Sequence, residues 1–376
     1  MMGRIVTIPI LKAFLRQLSQ KFASKVDLSK VATSGSYNDL IDKPEAPDFQ
    51  CSPKCYLRSQ PFVGSKRTMT IPPWMVVDID GSPCISSDGG TIDISNTNNW
   101  DDNTYSLPAN RKGKDFYIYA VRKGNEAVPD FILSKNPDGP AGYEANTVRK
   151  VGGFHCLCED MGEVENHPLS GFTAGDILPQ SVWDLKHRPI SSPEGMVFTG
   201  KFWVDIYLNS WDGTHLVSSY RSEIADTDFD GLRFQEALVS LGKRLPSAEE
   251  CMTFSQGAES GKALLGEADP VTSGGHRNTD NRRVVSNIGC EDVMGVMWQY
   301  TRDVFGAYCS YEDDWNSVSS TNGAIQGGGI RRLCFGGSWK DGEHAGIHAL
   351  SLNYWIGGQG SEYVAARGVS DPLIEF

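Results

Sequence analysis

Several groupings in this chain have the residue types and spacing that chemistry could use. His344 and His348 are four apart, with Glu343 beside the first. On a helix that would be a metal face, but the glycines at 342 and 346 argue against a helix there. Asp226-Thr227-Asp228-Phe229-Asp230-Gly231 matches the opening of an EF-hand loop. The position that should hold its bidentate carboxylate, 237, is Ala, and Glu236 is one short. Two readings follow: a calcium loop of another kind, or an acidic loop in which Asp230 caps the next helix. Glu312-Asp313-Asp314 is open to the same two readings. Cys51-x3-Cys55 and His155-Cys156-Leu157-Cys158 lack the paired spacing of a structural zinc site. No G-x-S-x-G nucleophile turn occurs. The expectation is no cofactor, with calcium at 226–230 the one alternative.

The elements that must position such residues begin with an ordinary globular composition. The chain has 376 residues, 39% of them hydrophobic and 22% charged, enough to bury a substantial core. Its net charge of −12 argues against a general nucleic-acid binder and against docking on anionic membranes. No apolar run reaches the ~18 residues of a membrane span. Nine cysteines, an odd number, cannot all pair internally, which points to reduced thiols. The N-terminus has no signal-peptide pattern.

Residues 10–31 read as one helix, with Leu11, Leu15, Leu18, Phe22 and Val26 on a narrow, coiled-coil-like stripe. It either packs on its own domain or self-associates; the polar linker that follows, to about residue 48, favours association. Residues 68–155 read as an all-β, sandwich-like module, with strands at Met75–Ile79, Thr91–Ile94, Phe116–Val121 and Phe131–Ser134. Its turns are Asp80-Gly81, Asp88-Gly89-Gly90 and Lys123-Gly124-Asn125. Beyond 160 two helices are expected. One runs from Leu232 to Leu241, between an Asp230 N-cap and a Gly242 C-cap. The other opens on the capping box Ser247–Glu250. The domains expected are 1–48, 49–159 and 160–376.

Four segments then fall in order: Gly242-Lys243-Arg244-Leu245-Pro246-Ser247-Ala248-Glu249-Glu250; Gly289-x-x-Asp292-x-x-Gly295-Val296-Met297-Trp298-Gln299-Tyr300; Gly336-Gly337-Ser338-Trp339; and Ala366-Arg367-Gly368. The order resembles the formylglycine-generating-enzyme type of the C-type lectin fold. There the pattern is G-x-R-L-P-[ST]-x-x-E, G-x-x-D-x-x-G-N-V-W-E-W, G-G-S-W and a closing G-[FA]-R. The second segment departs from it at three places. The ending, through Ala365-Ala366-Arg367-Gly368-Val369-Ser370-Asp371, is most similar to variable proteins of diversity-generating retroelements. Arg149–His155, Trp183–Pro189 and Phe202–Leu208 are similar to phage members of that group, and Ser34–Pro44 resembles a stretch recurring in phage tail fibres. The fold implied is α+β: a C-terminal lectin fold preceded by the all-β module and the N-terminal helix.

The resemblance implies a hypervariable receptor-binding protein, not an enzyme, at the tip of a phage or prophage tail fibre. Its partners would be a host cell-surface protein or glycan, other tail proteins through the N-terminus, and its own copies in a homotrimer. It would locate to the virion. The variable region would be about 338–369, and the ligand-binding set Lys340, Asp341, Glu343, His344, Ser351, Asn353, Tyr354, Gln359, Ser361, Glu362 and Tyr363. Ala349, Leu350, Leu352 and Ile356 are expected to face mainly inward; an assignment one residue out of phase fits the same pattern. Trp298, Gly336, Gly337, Trp339 and Arg367 are expected to be scaffold. Two rivals are an oxidase of the formylglycine-generating kind and a structural virion protein that binds nothing. The oxidase needs a closely spaced cysteine pair in the last third, where Cys334 is the last cysteine and Cys309, the one before it, lies 25 residues away.

Overall fold

The computed structural model describes residues 60–306 apart from Asn125 and Glu267, and then 315–319, 323–326, 330–355 and 360–373. The expected helix at 10–31, the linker after it, Glu312-Asp313-Asp314, Ile356, Gln359 and the cysteines at 51, 55 and 309 lie outside the described residues.

The first nine strands are β1 (Val63–Gly64), β2 (Thr68–Ile71), β3 (Met75–Ile79), β4 (Ser82–Ser86), β5 (Gly90–Asp93), β6 (Asp115–Val121), β7 (Asp130–Ser134), β8 (Val148–His155) and β9 (Trp183–Asp184). They form a three-stranded sheet (β1-β2-β5), a hairpin (β3-β4) and a four-stranded sheet in the order β7-β6-β8-β9. Strand β3 shows why alternation is a good signal: Met75, Val77 and Ile79 are buried, and the residues between them less so. Asp80 and Gly81 both have positive φ, 51° and 74°, as a two-residue hairpin turn requires. The module also holds one turn of helix, α1 (Pro108–Arg111).

β9 pairs with β8 through Gly152 and Gly153. A Cβ at Gly153 would lie 2.7 Å from the Trp183 indole nitrogen, and one at Gly152 2.5 Å from the Trp183 carbonyl. Only glycine lets β9 come this close. The sheet therefore draws its last strand from beyond residue 159, where the sequence places a boundary.

The remaining strands are β10 (Met196–Phe198), β11 (Trp203–Asp205), β12 (Ser210–Trp211), β13 (Leu216–Val217), β14 (Trp298–Gly306), β15 (Trp315–Ser319), β16 (Gly323–Gln326), β17 (Ile330–Gly336), β18 (Gly346–Trp355), β19 (Val364–Ala365) and β20 (Val369–Ser370). Helix α2 (Gly231–Ser240) is capped by Asp230, whose carboxylate accepts from the N–H groups of Leu232 and Arg233. Helix α3 (Ala248–Phe254) carries the complete Ser247–Glu250 capping box. Both follow the expected caps. β20, near the end of the described chain, pairs with β11, so the last strand closes on an early one. The main sheet runs β18-β17-β14-β19, with β19 parallel to β14.

Its two faces are covered by different cores. On one, Phe335 joins Phe254, Tyr207, Val204 and Val293. On the other, Cys334 joins Tyr300, Phe234 and Leu238. Arg367 is fully buried and ties the parts together. It donates to the carbonyls of Asp205 and Ile206, both at 2.5 Å, to the Glu291 carbonyl, and to the Gln299 side-chain oxygen at 3.1 Å. Next to it, Asp205 holds the buried Lys243 ammonium at 2.6 Å and accepts from the Gly368 N–H.

Three further polar contacts add to these. Asp115, His155 and Tyr207 form a hydrogen-bonded chain of 2.9 and 3.0 Å linking β6, β8 and the strand region after β11. Arg283 and Glu291 form a buried pair at 2.5 Å. His276 meets Asp292 at 2.8 Å. Burial works against the charge on each of these last two. It is overcome by their mutual attraction, which holds the His276 pKa up and the Asp292 pKa down. The described cysteines 84, 156, 158, 251, 290 and 334 are all buried free thiols; burial pushes the Cys290 thiol up to about 12. Among the described residues no helix is long and apolar enough to cross a membrane.

Arg367→Met should destabilise the chain by about 3 kcal/mol or more in urea unfolding, because it leaves several buried acceptors without a donor. A loss under ~1 kcal/mol would contradict the role given to Arg367. The His276–Asp292 pair predicts a pH window. Both groups are charged between the usual carboxylate and histidine ranges, where the pair contributes fully. The contribution fades as pH rises through the raised pKa of His276, and as pH falls through the lowered pKa of Asp292. Above pH ~6.5, wild-type stability should therefore decline relative to His276→Asn. Parallel stability–pH curves for the two proteins would refute this.

Candidate functional site

The segment that bears the expected binding residues is anchored at both ends. At its start, Gly336 and Gly337 have φ of 99° and 85°, and a Cβ at Gly337 would lie 2.7 Å from the Ala345 backbone. Both the conformation and the space require glycine there. Ser338 then closes a tight turn: its N–H and its hydroxyl both donate to one Asp341 oxygen, each at 2.6 Å. At the far end, β19 pairs with β14, and the Trp298 N–H donates to the Tyr363 carbonyl at 2.8 Å. Arg367 follows directly.

Between these anchors runs β18, among the described residues an edge strand, whose partners are Phe335↔Leu350, Cys334↔Ser351 and Arg332↔Tyr354. A register shift between Arg332 and Cys334 changes the phase along it. Ser351 lies opposite the buried Cys334 and is only 9% exposed. Leu350 and Leu352 face the other way, at 46% and 42% exposed. This corrects the expected inward and outward assignment: Ser351 is inside, and the two leucines are outside. The reason is the strict two-residue period of a strand. Once Cys334 points into the core of Tyr300 and Phe234, its partner Ser351 must too.

Tyr354 is half-buried. Its ring stands edge-on to Tyr300 at 6.3 Å, and burial pushes its hydroxyl pKa up to about 12. It supports the surface as well as contributing to it. Asp341 is likewise occupied by the Ser338 turn.

Lys340, Trp339, Glu362 and Tyr363 come together. The Lys340 ammonium lies over both rings, hydrogen-bonds to the Tyr363 hydroxyl and stands 3.9 Å from Glu362. Ser361 sits beside them and accepts the Tyr363 N–H at 3.3 Å. Glu343 and His344 are exposed on a short 3-10 turn, Gly342–His344, in which Glu343 is backed by Gly261. Asn353 is exposed, and its carbonyl accepts from Arg331.

Sequence reasoning missed Trp339 as a wall of this surface and Leu350 and Leu352 as parts of it. The signal for the leucines was present in the alternation of His348, Leu350 and Leu352.

The metal candidates do not assemble. His344 ends the 3-10 turn and His348 lies on β18. Asp230 spends its carboxylate on the α2 cap, and Asp226 accepts from its neighbour's N–H. Among the described residues no three His, Cys, Asp or Glu side chains converge as a metal site needs.

Comparison with known proteins places this geometry. A family model described as Mtd second domain matches residues 85–184, a span that includes β9. The tail fiber receptor-binding protein of Bordetella phage BPP-1 is 29% identical over 302 residues, covering 73% of this chain and 75% of its own length. Among solved structures, the Major Tropism Determinant I1 variant matches with a TM-score of 0.64 at 26% identity, over 83% of this chain and 82% of that one. The M1 variant matches equally well at 25% identity. The fold is thus the α+β, C-type lectin-like fold of the major tropism determinants.

The strand phase is directly testable. Ser351→Lys should lower the melting temperature sharply, since it buries an unpaired charge. Leu352→Lys should change stability by no more than ~0.5 kcal/mol. The reverse ranking would restore the original assignment.

Proposed function

We propose that this chain, which carries the fold of the major tropism determinants and their second domain, is a phage tail-fibre receptor-binding protein. It acts by display, not by catalysis. The observation that carries the reading is a mixed aromatic, apolar and polar surface held between two rigid anchors, the Gly337–Ser338–Asp341 turn and Arg367. Such a surface loses little entropy on binding, so a few side chains can supply most of the affinity. Its exposed members are Lys340, Glu343, His344, Asn353 and Glu362, with the part-exposed Tyr363 and the leucines 350 and 352. Gln359 belongs to the proposed set but lies outside the described residues.

The partner is a bacterial surface protein or glycan. The proposal includes the division into 1–48 for assembly and attachment, an all-β spacer from 49, and a display domain ending the chain. It also includes a homotrimer in the virion, and diversification of about 338–369 by a retroelement. A near-copy of the last coding stretch, differing at adenines and lying beside a reverse-transcriptase gene, would support the last point. An oxidase reading gains little support from Cys334, which is fully buried with its thiol pKa raised by burial.

The test is paired measurement of melting temperature and binding to a panel of bacterial cells for Lys340→Ala, Leu350→Ser, Asn353→Ala, Glu362→Ala and Tyr363→Ala. At least one should weaken binding by about 2 kcal/mol, roughly thirty-fold, with little change in melting temperature. Binding that survives all five, or general unfolding of the panel, would overturn the proposal.

A further inference from the structure

One feature of this surface points to the chemistry of its target. The rings of Trp339 and Tyr363 stand 5.8 Å apart at 39°. The Lys340 ammonium lies 4.6 Å from the first centroid and 4.2 Å from the second. Both distances are within the range of cation–π attraction. The Glu362 carboxylate stands at the mouth, 3.9 Å from the same nitrogen.

More negative charge lies close by. The Asp269 carboxyl is held above its usual range by partial burial, then by Glu362 and Asp226, and Lys340 is the group that opposes this. The acidic loop is kept near by Gly360, where a Cβ would lie 2.4 Å from the carbonyls of both Asp226 and Thr227. Two carboxylates, Glu362 and Asp269, thus act on the one ammonium.

That ammonium is weakly held. The Lys340 side chain is 50% exposed and Glu362 48%, and exposed contacts of this kind contribute little after screening and side-chain entropy. Two aromatic faces and a carboxylate make a receptacle for an organic cation. In this chain the receptacle is filled from within, by the side chain next to one of its walls.

We propose that Trp339, Tyr363 and Glu362 form a binding site for an organic cation on the target, an alkylated ammonium or a guanidinium, and that Lys340 is its internal stand-in. The target's cation enters when Lys340 swings out, or when another residue stands at 340. This deepens the receptor-binding reading and rests on it. It also gives position 340 a particular weight: a short neutral residue there opens the site, and a lysine keeps it occupied.

The probe is tetramethylammonium, with methylguanidinium as a second arm and tert-butanol as the neutral control. The readout is fluorine NMR of the full chain labelled with fluorotryptophan, the Trp339 signal being assigned by its loss in Trp339→Phe. In Lys340→Ala and in Lys340→Ser, one or both cations should shift the Trp339 signal saturably, and which cation does so identifies the group preferred. The wild type should need roughly threefold more cation, because an internal competitor lowers apparent affinity by the fraction of sites left free. Adding Glu362→Gln to Lys340→Ala should weaken the response, and tert-butanol should give none. The absence of a saturable shift in both Lys340 variants would overturn the proposal. So would an equal response to tert-butanol, or equal affinity in the wild type. No cells enter this measurement, so a failed cation response leaves cell binding standing as an independent result. A sound cation response with no loss of cell binding in Glu362→Ala and Tyr363→Ala would instead remove the site from receptor recognition.

Discussion

A guanidinium removed from water must find a partner for nearly every N–H it carries, and Arg367 does so by drawing in three separate pieces of chain. It takes the carbonyls of Asp205, which ends β11, and of Ile206, the carbonyl of Glu291, and the side chain of Gln299 on β14, while its own plane lies near the Phe254 ring of α3. An interaction of this kind is costly when incomplete and strong when complete. It therefore acts as a condition on the whole domain: the early strands, the 291 loop, the central strand and the closing strand must all be in place for the charge to be tolerated. Asp205 extends the condition by holding Lys243 and the Gly368 amide.

The display surface follows from that condition. Arg367 and the Ser338–Asp341 turn fix both ends of the segment. Among the described residues β18 is paired on one edge, and its side chains split between a core-facing set, Ser351 and Tyr354, and a solvent-facing set that includes Leu350 and Leu352. Substitution of the second set leaves the core untouched. The expected binding residues are thus a mixture. Lys340, Glu343, His344, Asn353 and Glu362 are exposed, whereas Asp341, Ser351 and Tyr354 also hold the surface in shape. Exposed leucines beside charged and aromatic groups give this face the composition of an interaction surface.

Local signals carried far along this chain. The capping box at Ser247, the Asp230 cap, the Asp80-Gly81 hairpin and the alternation of β3 are set by interactions within a few residues, so the sequence alone was enough to read them. The ordered series of Gly, Trp and Arg segments was legible for a related reason. Each marks a place where only one residue type fits, as at Gly337, where a side chain would strike Ala345, or at Arg367, where no other cation offers the same fork of donors. From these, the sequence by itself determined the lectin-like fold and the absence of a closely spaced cysteine pair in the last third of the chain. It could not determine which way β18 faces. Alternation fixes two sets of residues but not which set is inside, and here that choice rests on the pairing of Ser351 with Cys334, on a register shift, and on the core that happens to lie beneath. In the same way, only the tertiary structure brought Trp339 and Tyr363, 24 positions apart in the chain, together under Lys340, because that meeting depends on where β14 places β19 and not on any local preference.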